Sequence, residues 1–202
     1  MRDIKDTLSN NDLANLLNNI EEEKNRAINI RDKYIAERDY VMTCLIAFYG
    51  LTIEDIKRLN GQNIMVIPVP YIELDDRIIH ISNALRLNIV NLTDHFREYM
   101  KDKWQIGESM FTAEEIDFDN QIQRYTRNLE KKVNFNELRT YCISSLINNF
   151  ANLHKLKEYL GIDSIDDILP YYVGYPSECS ETVNFTERLV MNLMKIEDSK
   201  LN

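Results

Sequence analysis

The chain has 202 residues, of which 44% are hydrophobic and 28% charged, the balance of a soluble globular protein long enough to bury a core without staples. Its net charge of −9 excludes nucleic-acid binding through the overall field, so any such contact needs a local basic patch. The N-terminus, Met1-Arg-Asp-Ile-Lys-Asp, lacks the apolar core of a signal peptide, and the most apolar stretch, Tyr40 to Leu51, is too short to span a bilayer.

Taken in chain order, residues 1–38 read as an N-terminal helical extension. Its polar, helix-prone part carries a narrow apolar stripe of Leu13, Leu16, Leu17 and Ile20, with Ser9 or Asn10 as its cap and Glu21, Glu22 and Glu23 as a solvated face. Residues 39–176 read as the main domain. It opens with a strongly apolar helix over 39–49 that Gly50 stops, followed by a short helix from Ile53 to Leu59 and a turn at Asn60-Gly61. Ile64 to Ile67, Arg77 to Ile81 and Leu85 to Leu92 alternate like strands. Pro68 and Pro70 confine the first to an edge or its end, and Asn83-Ala84 sits where a hairpin would turn.

Helices are then expected from Thr93 to Lys103, Glu115 to Lys132, Phe135 to Phe150, Leu153 to Leu160 and Ser164 to Leu169, punctuated by Gly161 and Pro170. Residues 177–202 read as a tail with an amphipathic helix carrying Phe185, Leu189, Leu193 and Ile196. The expected class is α+β, mainly α-helical, with a small three-stranded antiparallel sheet.

Cys44, Cys142 and Cys179 are odd in number and lack a paired spacing. Cys44 and Cys142 lie in apolar segments, which predicts buried thiols and a reducing, cytoplasmic setting. His80, His95 and His154 show no metal-ligand spacing, so neither a metal nor a cofactor is expected.

Three motifs follow one another at fixed spacing: Asn136-Glu-Leu-Arg139, Tyr159-Leu-Gly161-Ile162 and Pro170-Tyr171-Tyr172. Together with Phe48-Tyr49-Gly50-Leu51-Thr52-Ile53-Glu54-Asp55-Ile56, they resemble the catalytic domain of the tyrosine recombinase (phage integrase) family. The likeness covers roughly residues 40 to 175. It implies a fold that places two arginines, two histidines, a lysine and a nucleophilic tyrosine around a phosphodiester. By the same resemblance the first arginine's place holds Thr52, the two histidines' places hold Asn136 and Ile162, and only Arg139 and Tyr171 match by type. In the family a lysine sits on the turn between the last two strands of the small sheet, expected here at Asn83-Ala84 with Arg86 as the nearest cation.

Threonine cannot replace a bidentate guanidinium, and isoleucine offers no donor. No catalysis is therefore expected. Arg139 reads either as a retained phosphate contact or as a structural arginine, and Tyr171 either as the nucleophile's counterpart or as a packing residue beside Pro170.

In this family the helix before the second arginine lies against double-stranded DNA. Here Gln121 to Lys132 is the most basic stretch, and Arg124, Arg127 and Lys131 at i, i+3 and i+7 would share a helical face with Gln121, Gln123 and Lys132 nearby. Some 38 residues precede the likeness, fewer than the family's N-terminal clamping domain, so either the protein lacks that domain or the chain is a fragment. Binding strength would then come from homo-oligomerisation through the C-terminal segment or from a phage or host protein.

The expected function is an inactive, DNA-binding regulator such as a prophage or mobile-element repressor or accessory factor. The alternative is a protein–protein interaction module that binds a recombinase or repressor without touching DNA.

Overall fold

The structure, a computed structural model, describes residues 8–103, 107–112, 117–129, 131–147 and 152–168. Helix α1 (Asn10–Arg26) begins at Ser9, whose hydroxyl accepts from the Asp12 amide while the Asp12 carboxylate accepts from the Ser9 amide. This reciprocal cap satisfies two donors that a helix start otherwise leaves open. Ala27 ends α1, and Asn29 caps α2 (Ile30–Tyr49) through the Asp32 amide.

Gly50 closes α2 in the left-handed region at φ 69°, where its amide bonds to the Ile46 carbonyl and the Leu51 amide to the Leu45 carbonyl. An ideal Cβ on Gly50 would lie 2.5 Å from Leu160 Cδ2, so glycine also lets the end of another helix approach closely.

Helix α2 is the axis of the molecule. Tyr34 and every residue from 36 to 49 are buried, because α1 covers one side of it and two later helices cover others. Those helices are α4 (Asn83–Met100) and α6 (Phe135–Ile147). Leu13, Leu16, Leu17 and Ile20 of α1 join Leu45, Ile46, Leu92 and Phe96 in one continuous apolar core. The amphipathic stripe read from residues 9 to 20 thus packs as its spacing dictates. Residue 38 lies inside α2.

A short helix α3 (Ile53–Arg58) leads into an antiparallel sheet in the order β1 (Ile64–Met65), β2 (Tyr71–Glu73) and β3 (Ile78–His80). Ile64, Ile72 and Ile79 stand in register and face the core, whereas Met65, Tyr71 and His80 form the outward row. The fold class read from the sequence is therefore the one observed, but two of its parts differ. Leu85 to Leu92 is not a strand: Ser82 caps α4 through the Leu85 amide, and the helix runs unbroken to Met100. The missing strand is Tyr71–Glu73, and the β2–β3 turn is Leu74 to Arg77 rather than Asn83-Ala84.

The predicted helix from Glu115 to Lys132 is also shorter than expected, since α5 spans only Phe118–Gln123. Helix α7 (Leu153–Leu160) packs on α6 through Cys142, Leu146, Leu156 and Leu160, and Gly161 caps it at φ 61°. Cys44 and Cys142 are both buried free thiols. Among the described residues no helix is long and apolar enough to cross a membrane. Cys179, Tyr171 and the amphipathic C-terminal segment lie outside the described residues.

Candidate functional site

Thr52 caps α3. Its hydroxyl accepts from the Asp55 amide at 3.0 Å, and the Asp55 carboxylate accepts in return from the Thr52 amide at 2.9 Å. The same carboxylate oxygen accepts from Arg77 Nη2 at 3.0 Å. Arg77 is the last residue of the β2–β3 turn, and its Nη1 donates to both carboxylate oxygens of Asp76 at 2.8 Å. Both terminal nitrogens of the guanidinium are thus held by carboxylates of the chain itself, and its Nε is buried without a hydrogen-bond partner.

Gly161 completes the arrangement. A Cβ there would collide with Arg77 Nη1, lie 2.5 Å from its Cζ and stand 3.0 Å from Asp76 Oδ2. Arg77 therefore ties together the start of α3, the hairpin turn and the end of α7. Around it lies an open cleft of about 360 Å³ whose carboxylates, Asp55, Glu73, Asp75 and Asp76, outnumber its cations, Arg58 and Arg77. An incoming phosphate would have to displace a carboxylate at an arginine that already has two.

These residues were not singled out from the sequence. Asp75-Asp76 is a turn dipeptide between alternating apolar residues, a hairpin signal that Pro68 and Pro70 obscured. With the turn placed at 74–77, its cation is Arg77. Arg86 instead sits in the first turn of α4 and is not on the β2–β3 turn.

The remaining sequence-predicted positions separate by role. Ile162 packs against the Cys142, Leu156 and Leu160 cluster, an apolar contact that leaves no group able to move a proton. Asn136 is exposed on the first turn of α6. That helix starts with Asn134 accepting from the Glu137 amide at 3.0 Å while the Glu137 carboxylate accepts from the Asn134 amide at 3.1 Å. Arg139 is half-buried, and its Nε lacks a hydrogen-bond partner. It sits near Cys142, whose thiol burial pushes up to about 12 against the opposing pull of Arg139. Such a thiol is inert at neutral pH.

The basic stretch from Gln121 to Lys132 does not form one helical face, because α5 ends at Gln123. Arg124 reaches inward, where its Nη2 donates to the buried Asp39 carboxylate at 3.2 Å and its guanidinium stands 5.5 Å from the Tyr125 ring centre. The Gln123 amide donates to the Val133 carbonyl at 2.8 Å, and Gln121 supplies the carbonyl that Arg124 Nε binds. Arg127 and Lys132 are exposed in the loop between α5 and α6, and Lys131 is half-buried beside them. Among the described residues no group of three His, Cys, Asp or Glu side chains could hold a metal ion.

No family model and no curated protein sequence matches the chain. Solved structures do. A XerA recombinase superposes with a TM-score of 0.63 at 14% identity, over 83% of this chain and 60% of its own. The XerH site-specific recombinase bound to its difH substrate in a pre-cleavage complex gives a TM-score of 0.58 at 16% identity, over 82% of this chain and 49% of its own. Its post-cleavage complex with a palindromic difH substrate gives 0.58 at 16% identity, over 95% and 53%. This chain spans about half to three fifths of the length of those proteins. The likeness is one of fold: the chain is built like the catalytic domain of a tyrosine recombinase.

Proposed function

We propose that this recombinase-fold chain binds double-stranded DNA without cutting it, as a cytoplasmic regulator such as a repressor or accessory factor of a prophage or other mobile element. The observation that carries the lack of cutting is the engagement of Arg77 by Asp55 and Asp76. Phosphoryl transfer needs donors aimed at the oxygens where charge develops, and removing one such group costs about 10²–10³ in rate. Thr52 and Ile162 supply no guanidinium or imidazole at their positions, and the cleft's remaining field is acidic. Wild-type protein should give no covalent adduct on nicked duplex substrates. An adduct that disappears in Tyr171→Phe would refute this part of the proposal.

For binding, the exposed cations Arg127 and Lys132 lie at the start of the segment that leads into α6, and DNA-bound XerH shares the fold. Retention of duplex fragments should fall with salt, because phosphate contacts release counterions. Arg127→Glu/Lys132→Glu should weaken retention by about tenfold or more at low salt while leaving the thermal midpoint in place. Undiminished retention in that variant would remove this surface. Arg124→Glu is the wrong probe for binding, since it sets a carboxylate against the buried Asp39 and would lower stability as well.

A protein-interaction module is the second reading. It draws on the acidic cleft and on exposed apolar residues of the sheet region, Ile67 at 68% and Ile78 at 56%. Capture of a recombinase or repressor with no DNA retention at low salt would favour it.

A further inference from the structure

Arg58 lines two adjoining clefts, one in which carboxylates outnumber cations and one in which Lys57 and Arg58 stand against the carboxylate of Glu108. On one side stands the tip of the β2–β3 hairpin, where the Asp75 side chain is 93% exposed and Asp76 57%. Glu73 is exposed on the same hairpin, and Ile78 shows 56% of its surface. On the other side is a larger cleft of about 580 Å³ lined by Lys57, Arg58, Met100, Glu108, Ser109 and Thr112. Lys101 and Lys103 follow Met100 and are both exposed. Lys101 turns the chain away from α4 with φ 49°, a positive value that no other non-glycine residue takes among the described residues.

Within the chain the two lobes are weakly joined. Arg58 and Asp75 approach to 3.6 Å, but both are largely in water, where such a pair contributes about 0–1 kcal/mol. The hairpin carboxylates and the α3 cations are therefore available to a better-placed partner.

We propose that this surface pairs with a second copy of the chain about a two-fold axis, the hairpin tip of each copy entering the basic cleft of the other. An acidic lobe beside a basic lobe becomes self-complementary under a two-fold rotation, since each face then meets its opposite. Asp75 and Glu73 would meet Lys57, Arg58 and Lys101, while Ile78 travels with the tip toward Met100. Nucleic acid fits this surface less well, because its phosphates would run against the four carboxylates beside Arg58. Complementary charges would fix orientation and exclude mismatched pairings. The inference does not depend on DNA binding.

Sedimentation equilibrium of the full chain tests it. A dimer is expected at about 0.05 M salt, its dissociation constant rising about tenfold or more by about 0.5 M as screening shortens the interaction range. Glu73→Lys/Asp75→Lys and Lys57→Glu/Arg58→Glu replace exposed residues that do not pair with the Arg77 side chain, and each variant alone should be monomeric. Mixed in equal amounts, they should dimerise, since each hairpin then finds a cleft of opposite charge. A wild type that is monomeric at all salts, a dimer that survives both reversals, or a mixture that stays monomeric would each overturn the proposal. Duplex DNA retained by a monomeric wild type and lost with Lys57→Glu/Arg58→Glu would assign the cleft to nucleic acid instead.

Discussion

Replacing Asp39 with alanine should cost about 3–5 kcal/mol of folding stability, the usual consequence of stripping one partner from a buried ion pair. Asp39 and Arg38 are neighbours on α2, and each is only 1% exposed. Arg38 Nη2 and Nε donate to one carboxylate oxygen of Asp39 at 3.0 and 3.3 Å. The other oxygen accepts from the Tyr125 hydroxyl at 2.9 Å and from Arg124. Without Asp39 the Arg38 charge would remain in the core beside the Tyr34 ring, 5.8 Å away, with its Nη1 already lacking a hydrogen-bond partner.

Urea unfolding measures the loss, and a decrease below about 1 kcal/mol would mean that water already reaches the pair. Arg38→Met/Asp39→Leu should recover much of the deficit, because apolar side chains of similar volume carry no desolvation penalty. Asp39 also holds the 124–125 turn against α2, so a local effect on Arg124 and Tyr125 should accompany the global one.

The second large effect is expected at Gly161. Alanine there would be held at φ 61°, a conformation that costs an L-residue about 1–2 kcal/mol. Its methyl would also drive the Arg77 guanidinium off Asp55 and Asp76, which adds about 1 kcal/mol for lost charge-assisted hydrogen bonds in a partly buried setting. A total of about 2–3 kcal/mol should appear as a lower urea midpoint at unchanged slope. Gly61→Ala is the matching control, since nothing lies within 4 Å of its Cβ position and its φ needs no glycine. The cost of Gly161→Ala should also shrink in an Arg77→Ala background, because the two changes act on one contact. Full additivity would show that Gly161 matters for its backbone alone.

The helices could be read from sequence where one local signal dominated. Ser9, Gly50 and Gly161 mark helix ends by cap chemistry, and α7 begins and ends where its pattern says. Leu85 to Leu92 failed because Leu85, Leu87 and Ile89 alternate like a strand while Leu85, Ile89, Leu92 and Phe96 fall on one helical stripe. The structure selects the second set for burial and leaves Leu87 58% exposed. Nothing local announces the end of α5 at Gln123. The following residues, Arg124 and Tyr125, are bound instead by Asp39, some 85 positions earlier, and such a long-range contact leaves no periodic trace. The Arg77 clip was hidden for the same reason: its members come from α3, the hairpin and the turn after α7, and they meet only once the chain has folded.

Because α2 is enclosed along its C-terminal two thirds, that stretch has no face with which to meet a ligand or partner. Along it, contacts with the outside must be made by the elements around the helix. The helix therefore works as a spindle whose side chains answer only to packing, whereas the hairpin tip, the head of α3 and the loop before α6 answer to whatever they touch. Chemistry at the rim can be exchanged without asking the spindle to move.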